Sequence, residues 1–184
     1  MKFFHLICLM AGFALMGCND GNVDLDNFGD QTLEVKIDEL AYKMPPKSYK
    51  RIDLAPGSIH TIVVTDESGE VIKDQNFKVD KGGLLNVGGS RYVIWTELYG
   101  DESLREKHLK EVPLEVDNMI YHGDFEEVDP ELIYLESRWD LGLDESFPTQ
   151  VMDLQFQKEK WMTKRKLYRV ADLVEEYQSQ IQSN

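Results

Sequence analysis

Cysteine and histidine are scarce in this chain: two cysteines and four histidines among 184 residues. With only Cys8 and Cys18, both close to the start, no disulfide framework can staple the body, so its stability must come from packing. His5, His60, His108 and His122 show no His-x-x-x-His or His-Glu-x-x-His spacing, and no thiol pair is available to complete a zinc site. No metal and no cofactor are expected. Positive charge is also in deficit, with 20 Lys and Arg against 34 Asp and Glu and a formal charge of −14. Such a body repels nucleic acid, which is not expected as a partner, and attracts cationic ones. Catalytic signatures are missing too. No Gly-x-Ser-x-Gly elbow occurs, and neither Gly82-Gly83 nor Gly88-Gly89 is followed by the lysine and helix of a phosphate loop. Long apolar runs are absent except for Phe3 to Met16, whose 14 residues would span only about 21 Å as a helix, short of a hydrocarbon core of about 30 Å.

That one run is informative. Lys2 precedes it and Leu15-Met16-Gly17-Cys18 closes it, the layout of a cleaved export signal over residues 1–17. The closing tetrapeptide resembles a bacterial lipobox. The resemblance implies diacylglycerol on the Cys18 sulfur, cleavage before that residue, and often a further palmitate-type acyl chain on the new amino group. Two or more acyl chains hold a protein at a membrane durably, at about 0.8 kcal/mol per buried methylene. The expected address is the bacterial cell envelope, lipid-anchored. Asn19 after the cysteine resembles the pattern of outer-membrane sorting, on the periplasmic or surface face. Losing residues 1–17 removes Lys2 and Cys8, leaving 167 residues with a formal charge of −15 and Cys18 as their only thiol.

Residues 18–30 read as a lipidated acidic tether, Gly-containing and poor in apolar residues. Asp24, Asp26, Asn27, Gly29 and Asp30 invite a calcium site, yet no EF-hand register fits. Starting at Asp24 puts Phe28 at a ligand position and Val35 at the closing glutamate; starting at Asp20 puts Leu25 at the required glycine.

From residue 31 to 99 the period is two. Leu33, Val35 and Ile37 alternate with Glu34, Lys36 and Asp38, and strands are expected over 49–54, 59–65, 71–73, 76–79, 84–87 and 91–98. Pro45-Pro46, Pro56-Gly57, Asp66 to Gly69, Asp80 to Gly83 and Gly88-Gly89-Ser90 supply turns. About seven short strands at this spacing indicate an antiparallel β-sandwich. Ile52-Asp53-Leu54-Ala55-Pro56-Gly57 running into His60 to Val64 resembles the strand, turn and strand of small exported modules of the PEGA and transthyretin-like kinds. That resemblance implies a non-catalytic spacer or binding surface.

Residues 100–184 read as a smaller α+β part. Asp101 can cap a short helix over 102–110 that Pro113 stops, and strands are expected over 116–121, 132–136 and 151–156. Leu167, Val170, Val174, Tyr177 and Ile181 recur at three- and four-residue steps, the stripe of an amphipathic closing helix.

Several groups could carry chemistry. His122-Gly123-Asp124 offers a base beside a carboxylate, and two acidic clusters follow, Glu126, Glu127, Asp129 and Glu131, then Asp140, Asp144 and Glu145. Lys158, Lys160, Lys164, Arg165, Lys166 and Arg169 gather cations around Phe156, Trp161 and Tyr168, which suits neutralisation of the protein's own acids or docking of an anionic partner. The reading that needs no missing part is a membrane-tethered exported lipoprotein, a binding or assembly module with a protein or glycan partner and no catalytic residues. An acidic immunity-like inhibitor of a cationic partner and a carboxylate-dependent hydrolase using residues 124–145 are the alternatives.

Overall fold

Val23-Asp24-Leu25-Asp26 alternates apolar and acidic residues, so a strand built from it presents hydrocarbon to one side and carboxylates to the other. In the computed structural model, which describes residues 21–151 and 154–182, this segment is the first strand, β1 (Asn22–Asn27). Residues 1–17 and Cys18 lie outside the described residues. The tether expected over 18–30 is thus corrected: β1 occupies an inner position of a sheet. Its acidity argued for a solvated spacer, but the partners that neutralise it are distant in sequence.

Then follow β2 (Leu33–Ile37), β3 (Leu40–Met44), β4 (Ser48–Asp53), β5 (Ile59–Thr65), β6 (Val71–Lys78), β7 (Gly83–Asn86) and β8 (Tyr92–Tyr99). A 3-10 turn over Glu102–Leu104 leads into the single-turn α1 (Arg105–His108). After it come β9 (Leu114–Val116), β10 (Met119–Tyr121), β11 (Asp124–Glu127), β12 (Tyr134–Glu136), α2 (Leu154–Glu159), β13 (Met162–Arg169) and α3 (Val170–Gln182).

The protein is β-rich, and β1 to β7 together with β12 form a sandwich of two four-stranded sheets ordered β12-β7-β1-β4 and β3-β2-β5-β6. Val23, Leu25, Val35, Ile37, Ile62, Val64 and Leu85 fill the space between them. The pairing is antiparallel throughout except β1 with β7, which run parallel from Val23 beside Gly83. At Gly83 a Cβ would lie 2.2 Å from the Leu135 carbonyl oxygen, so β12 can close on β7 only over a residue without a side chain.

A third sheet, β11-β8-β13, covers the outer face of the β12-β7-β1-β4 sheet. The pleat alternates the two interfaces: Leu85 faces into the sandwich, while Leu84 and Leu135 meet Tyr92, Ile94 and Leu167 of the third sheet. That sheet's other face carries Val93, Phe125 and Tyr168 against Leu173 of α3 and the β9–β10 hairpin. Strand membership therefore crosses residue 99. β8 belongs with β11 and β13, and β12 completes the first sandwich.

Other expectations change for identifiable reasons. The segment 116–121 is a tight hairpin turning at Asp117 and Asn118, both with positive φ, a conformation Asp and Asn tolerate better than most residues. The strand expected over 151–156 is in its described part the start of α2, because the hydrophobic run is too short to distinguish period two from 3.6. The closing helix starts at Val170, so Leu167 lies on β13 and faces sheet β12-β7-β1-β4. The 71–73 and 76–79 segments merge into β6, and β3 and β11 were not anticipated.

The third sheet is fastened to the β12-β7-β1-β4 sheet by charge. Asp26 is fully buried on the outer face of β1, and Arg169, on the face of β13 that looks toward it, donates from Nε at 3.0 Å and from Nη2 at 2.6 Å. The Tyr92 hydroxyl also donates to Asp26, Arg169 Nη1 donates to Asp172 at 2.7 Å, and the guanidinium lies 4.6 Å from the Phe28 ring centre. Burial works against the Arg169 charge, yet the hydrogen bonds and charges of Asp26 and Asp172 outweigh it and hold the guanidinium above its usual range. Burial, followed by the charge of Asp26, likewise pushes the Tyr92 hydroxyl up. Removing one member of such a pair leaves the other charge buried alone. Asp26→Asn is expected to cost about 3–5 kcal/mol in urea unfolding; a loss below about 1 kcal/mol would show that the pair is not what ties the layers together.

Candidate functional site

One concave surface that gathers sequence-predicted residues lies where the 137–145 segment crosses the outer face of β1, β4 and β7. It is a cleft of about 480 Å³ lined among others by Asp24, Arg51, Lys81, Trp139, Asp140 and Glu145. Asp24 and Arg51 are direct cross-strand partners, and the pleat turns both side chains to the same face. Arg51 donates to Asp24 from Nε at 2.9 Å and from Nη2 at 3.1 Å, and this hydrogen-bonded carboxylate raises the guanidinium's affinity for its proton. Asp140 accepts the Arg165 backbone N–H at 2.8 Å, and Glu145 accepts that of Gly142 at 2.6 Å. Trp139 packs against the Leu84–Tyr92–Leu135 cluster and leaves part of its ring to the cleft. On the neighbouring rim Tyr49 donates to Asp144 at 2.8 Å, which lowers the carboxyl pKa and raises that of the phenol. Behind Lys81, burial and then the charge of Glu136 push the Tyr134 hydroxyl up to about 12, where it donates to the Lys81 carbonyl.

A second cleft of about 480 Å³ holds Arg105, Glu106, Lys110, Glu111, His122 and Asp124. Here His122 Nδ1 lies 3.0 Å from Glu111, and both side chains are more than 70% exposed, at 73% and 71%. Asp124 accepts the Lys110 backbone N–H at 3.1 Å. The structure thus pairs His122 with a carboxylate eleven residues upstream rather than with Asp124, two residues on.

The remaining predicted groups are drawn apart. His60 is buried with Nδ1 2.7 Å from Asp38, and His108 stacks on Trp161 at 3.6 Å between ring centres. Glu126 receives Arg138 at 2.7 Å and also Arg165, Glu127 receives Arg91 at 3.1 Å, and Asp129 accepts the Glu131 backbone N–H. In the cation run, Arg165 and Arg169 bind the protein's own acids, and Lys166 lies 3.8 Å from the centre of the Tyr168 ring with its pKa lowered by burial. The residues that invited calcium meet internal cations instead: Asp24 with Arg51, Asp26 with Arg169, Asp30 with Lys47 at 3.0 Å. Among the described residues no group of three or more His, Cys, Asp or Glu is placed to hold a metal ion, and no helix is long and apolar enough to cross a membrane.

Sequence reasoning missed Arg51 and Asp24 as neighbours, because β4 returns to β1 only after residues 28–47 have formed a hairpin in the other sheet, and neither strand's own pattern shows that pairing. The signal that could have located the cleft was the alternation in β1, which assigns Asp24 to the outer face. By its layers the protein is a β-sandwich carrying an additional sheet and helix. No family model, no curated protein and no solved structure matches the chain.

Two measurements follow from these contacts. The Asp38 carboxyl is held below its usual range chiefly by the hydrogen bond to His60 and then by the Thr61 N–H. A depressed folded pKa stabilises the fold above the unfolded value of about 3.9 and is lost as pH falls through the lowered one. Asp38→Asn is therefore expected to flatten the loss of stability below about pH 4, read as the unfolding midpoint against pH; an unchanged acid limb would refute it. His122 and Glu111 are solvated, and the Tyr177 hydroxyl bonds the His122 carbonyl rather than its ring. His122→Ala is expected to change stability by less than about 0.5 kcal/mol, and a larger change in thermal unfolding would mean that the ring supports the fold.

Proposed function

We propose that this protein is an exported, lipid-anchored module of the bacterial cell envelope that acts by binding or assembly rather than by catalysis. The observation that carries the reading is the run Phe3 to Met16 closed by Leu15-Met16-Gly17-Cys18. Next to it stands a sandwich whose first strand begins four residues after the cysteine. The membrane assigned is the outer one, and the partner class is protein or glycan. The main cleft supports recognition: it combines a half-exposed indole, two lysine and arginine heads and three carboxylates already committed to structural hydrogen bonds. Carboxylates fixed in this way present acceptors in set positions, which suits a ligand rich in N–H or O–H donors.

The test is the covalent state of the protein in its native cells. Intact mass is expected to show a chain beginning at Cys18 with added acyl mass, recovered with the membrane fraction. Cys18→Ser is expected to abolish both the acyl mass and the membrane recovery. A native polypeptide with Met1 in place and an unmodified thiol at position 18 would overturn the reading. Crosslinking in those cells, followed by identification of the captured species, then distinguishes a protein partner from a glycan.

A further inference from the structure

We infer that the end of the sandwich formed by the 54–59 loop and the β2–β3 turn rests on the bilayer surface, with Ile59 and Leu40 as its apolar contacts. This rests on the lipid anchor at Cys18 proposed above and adds an orientation to it. The first support is the length of chain. Gly21 is pinned to the sandwich, its carbonyl accepting the Leu54 N–H at 3.0 Å, and a Cβ on it would lie 2.2 Å from the Leu54 oxygen. Only three Cα–Cα steps separate Gly21 from Cys18, so the acylated residue lies within about 11 Å of it whatever path the chain takes. The headgroup layer on one side of a bilayer is itself about 5–8 Å deep. The β1 start is therefore held at the membrane surface, not at a distance from it.

The second support is what the fold puts at that end. β1 starts beside Asp53 of β4, which runs directly into the 54–59 loop, and Ile59 opens β5. Ile59 is 72% exposed, the most exposed of the large hydrophobic side chains among the described residues. Leu40, 53% exposed, pairs with Ile37 beside the same end. Neither supports the core, and both are where an interfacial contact needs them. The charge at this end selects the surface. Lys78 is paired with Asp80, Lys81 with Glu136 and Asp38 with His60, while Glu39 and Asp53 tip the balance to negative. The partner surface is therefore one of zwitterionic headgroups, and anionic lipid weakens the contact through repulsion that salt screens.

The full-length protein, processed and acylated in cells, can be reconstituted into phosphatidylethanolamine and phosphatidylcholine vesicles. Since the mature chain has no other free thiol once Cys18 is acylated, Ile59→Cys carries a single environment-sensitive dye. Glu70→Cys, in the turn after β5 and at least about 20 Å further from the anchored end, carries the same dye as the distal control. Spin-labelled lipids are expected to quench the dye at 59 about threefold or more over that at 70, as for a side chain seated 5–10 Å into the interface. Adding anionic lipid should reduce that ratio, and raised salt should restore it. Equal quenching at the two positions in protein that floats with the vesicles overturns the orientation alone. Acylated protein that fails to float overturns the anchor and the orientation together. Circular dichroism matching the unsubstituted protein verifies that both labelled variants are folded.

Discussion

Asp26 and Arg169 are separated by 143 residues and meet inside the molecule, where neither charge can be left alone. Everything else in the layering is consistent with that contact. For Asp26 to be buried, the outer face of β1 must be covered; for Arg169 to reach it, β13 must present its odd-numbered residues to the same face. The register of β13 on β8 does this, placing Arg169 beside Tyr92 and Leu167 beside Ile94, so the ion pair and the Leu84–Ile94–Leu167 cluster share one interface. A one-residue slip of β13 would exchange Arg169 and Leu167 for Tyr168 and Lys166 and leave Asp26 unpaired. Buried ion pairs seldom add much net stability over a well-packed apolar contact, but they penalise a wrong register heavily. Specifying that register is the role this one fits.

The same interface explains why the cleft exists. Trp139 and Leu143 pack on the apolar cluster, which carries the 137–145 segment over the lower part of the sheet, and the Asp24–Arg51 pair forms the polar floor left between them. Acidic residues that look like an undifferentiated surplus in the composition are thereby sorted into three environments. Asp26 is internal, Asp24, Asp140 and Glu145 line the cleft with their oxygens engaged, and Glu126 and Glu127 neutralise arginines on the third sheet. The sorted surface carries a polar cleft on the flank of the sandwich and a second cleft around His122.

Much of the sandwich was legible because one face of each of its strands meets the core. Val35 and Ile37 in β2 and Ile62 and Val64 in β5 alternate with polar neighbours, and Pro56-Gly57 and Asp66 to Gly69 mark where the chain turns. Two of the strands that escaped detection, β1 and β13, hide the alternation behind charged residues. β13 reads Met-Thr-Lys-Arg-Lys-Leu-Tyr-Arg and is covered on both faces, with Arg169 turned in to Asp26 and Lys166 against the Tyr168 ring, so no alternation shows. β1 hides behind its aspartates for the same reason. The candidate site was legible only in fragments: Asp140 and Glu145 were noticed as residues, whereas their assembly with Trp139, Asp24 and Arg51 depends on two strand registers and a crossing loop.

By itself the sequence determined the class of fold, through period-two patterning between turn residues. It also determined that the body is acidic. Tertiary structure alone decided which acids are structural and which face a cleft, because a carboxylate's role depends on the cation the fold brings within about 3 Å. That distance is set by register and layer packing between segments from tens of residues to 143 residues apart, which no local pattern encodes.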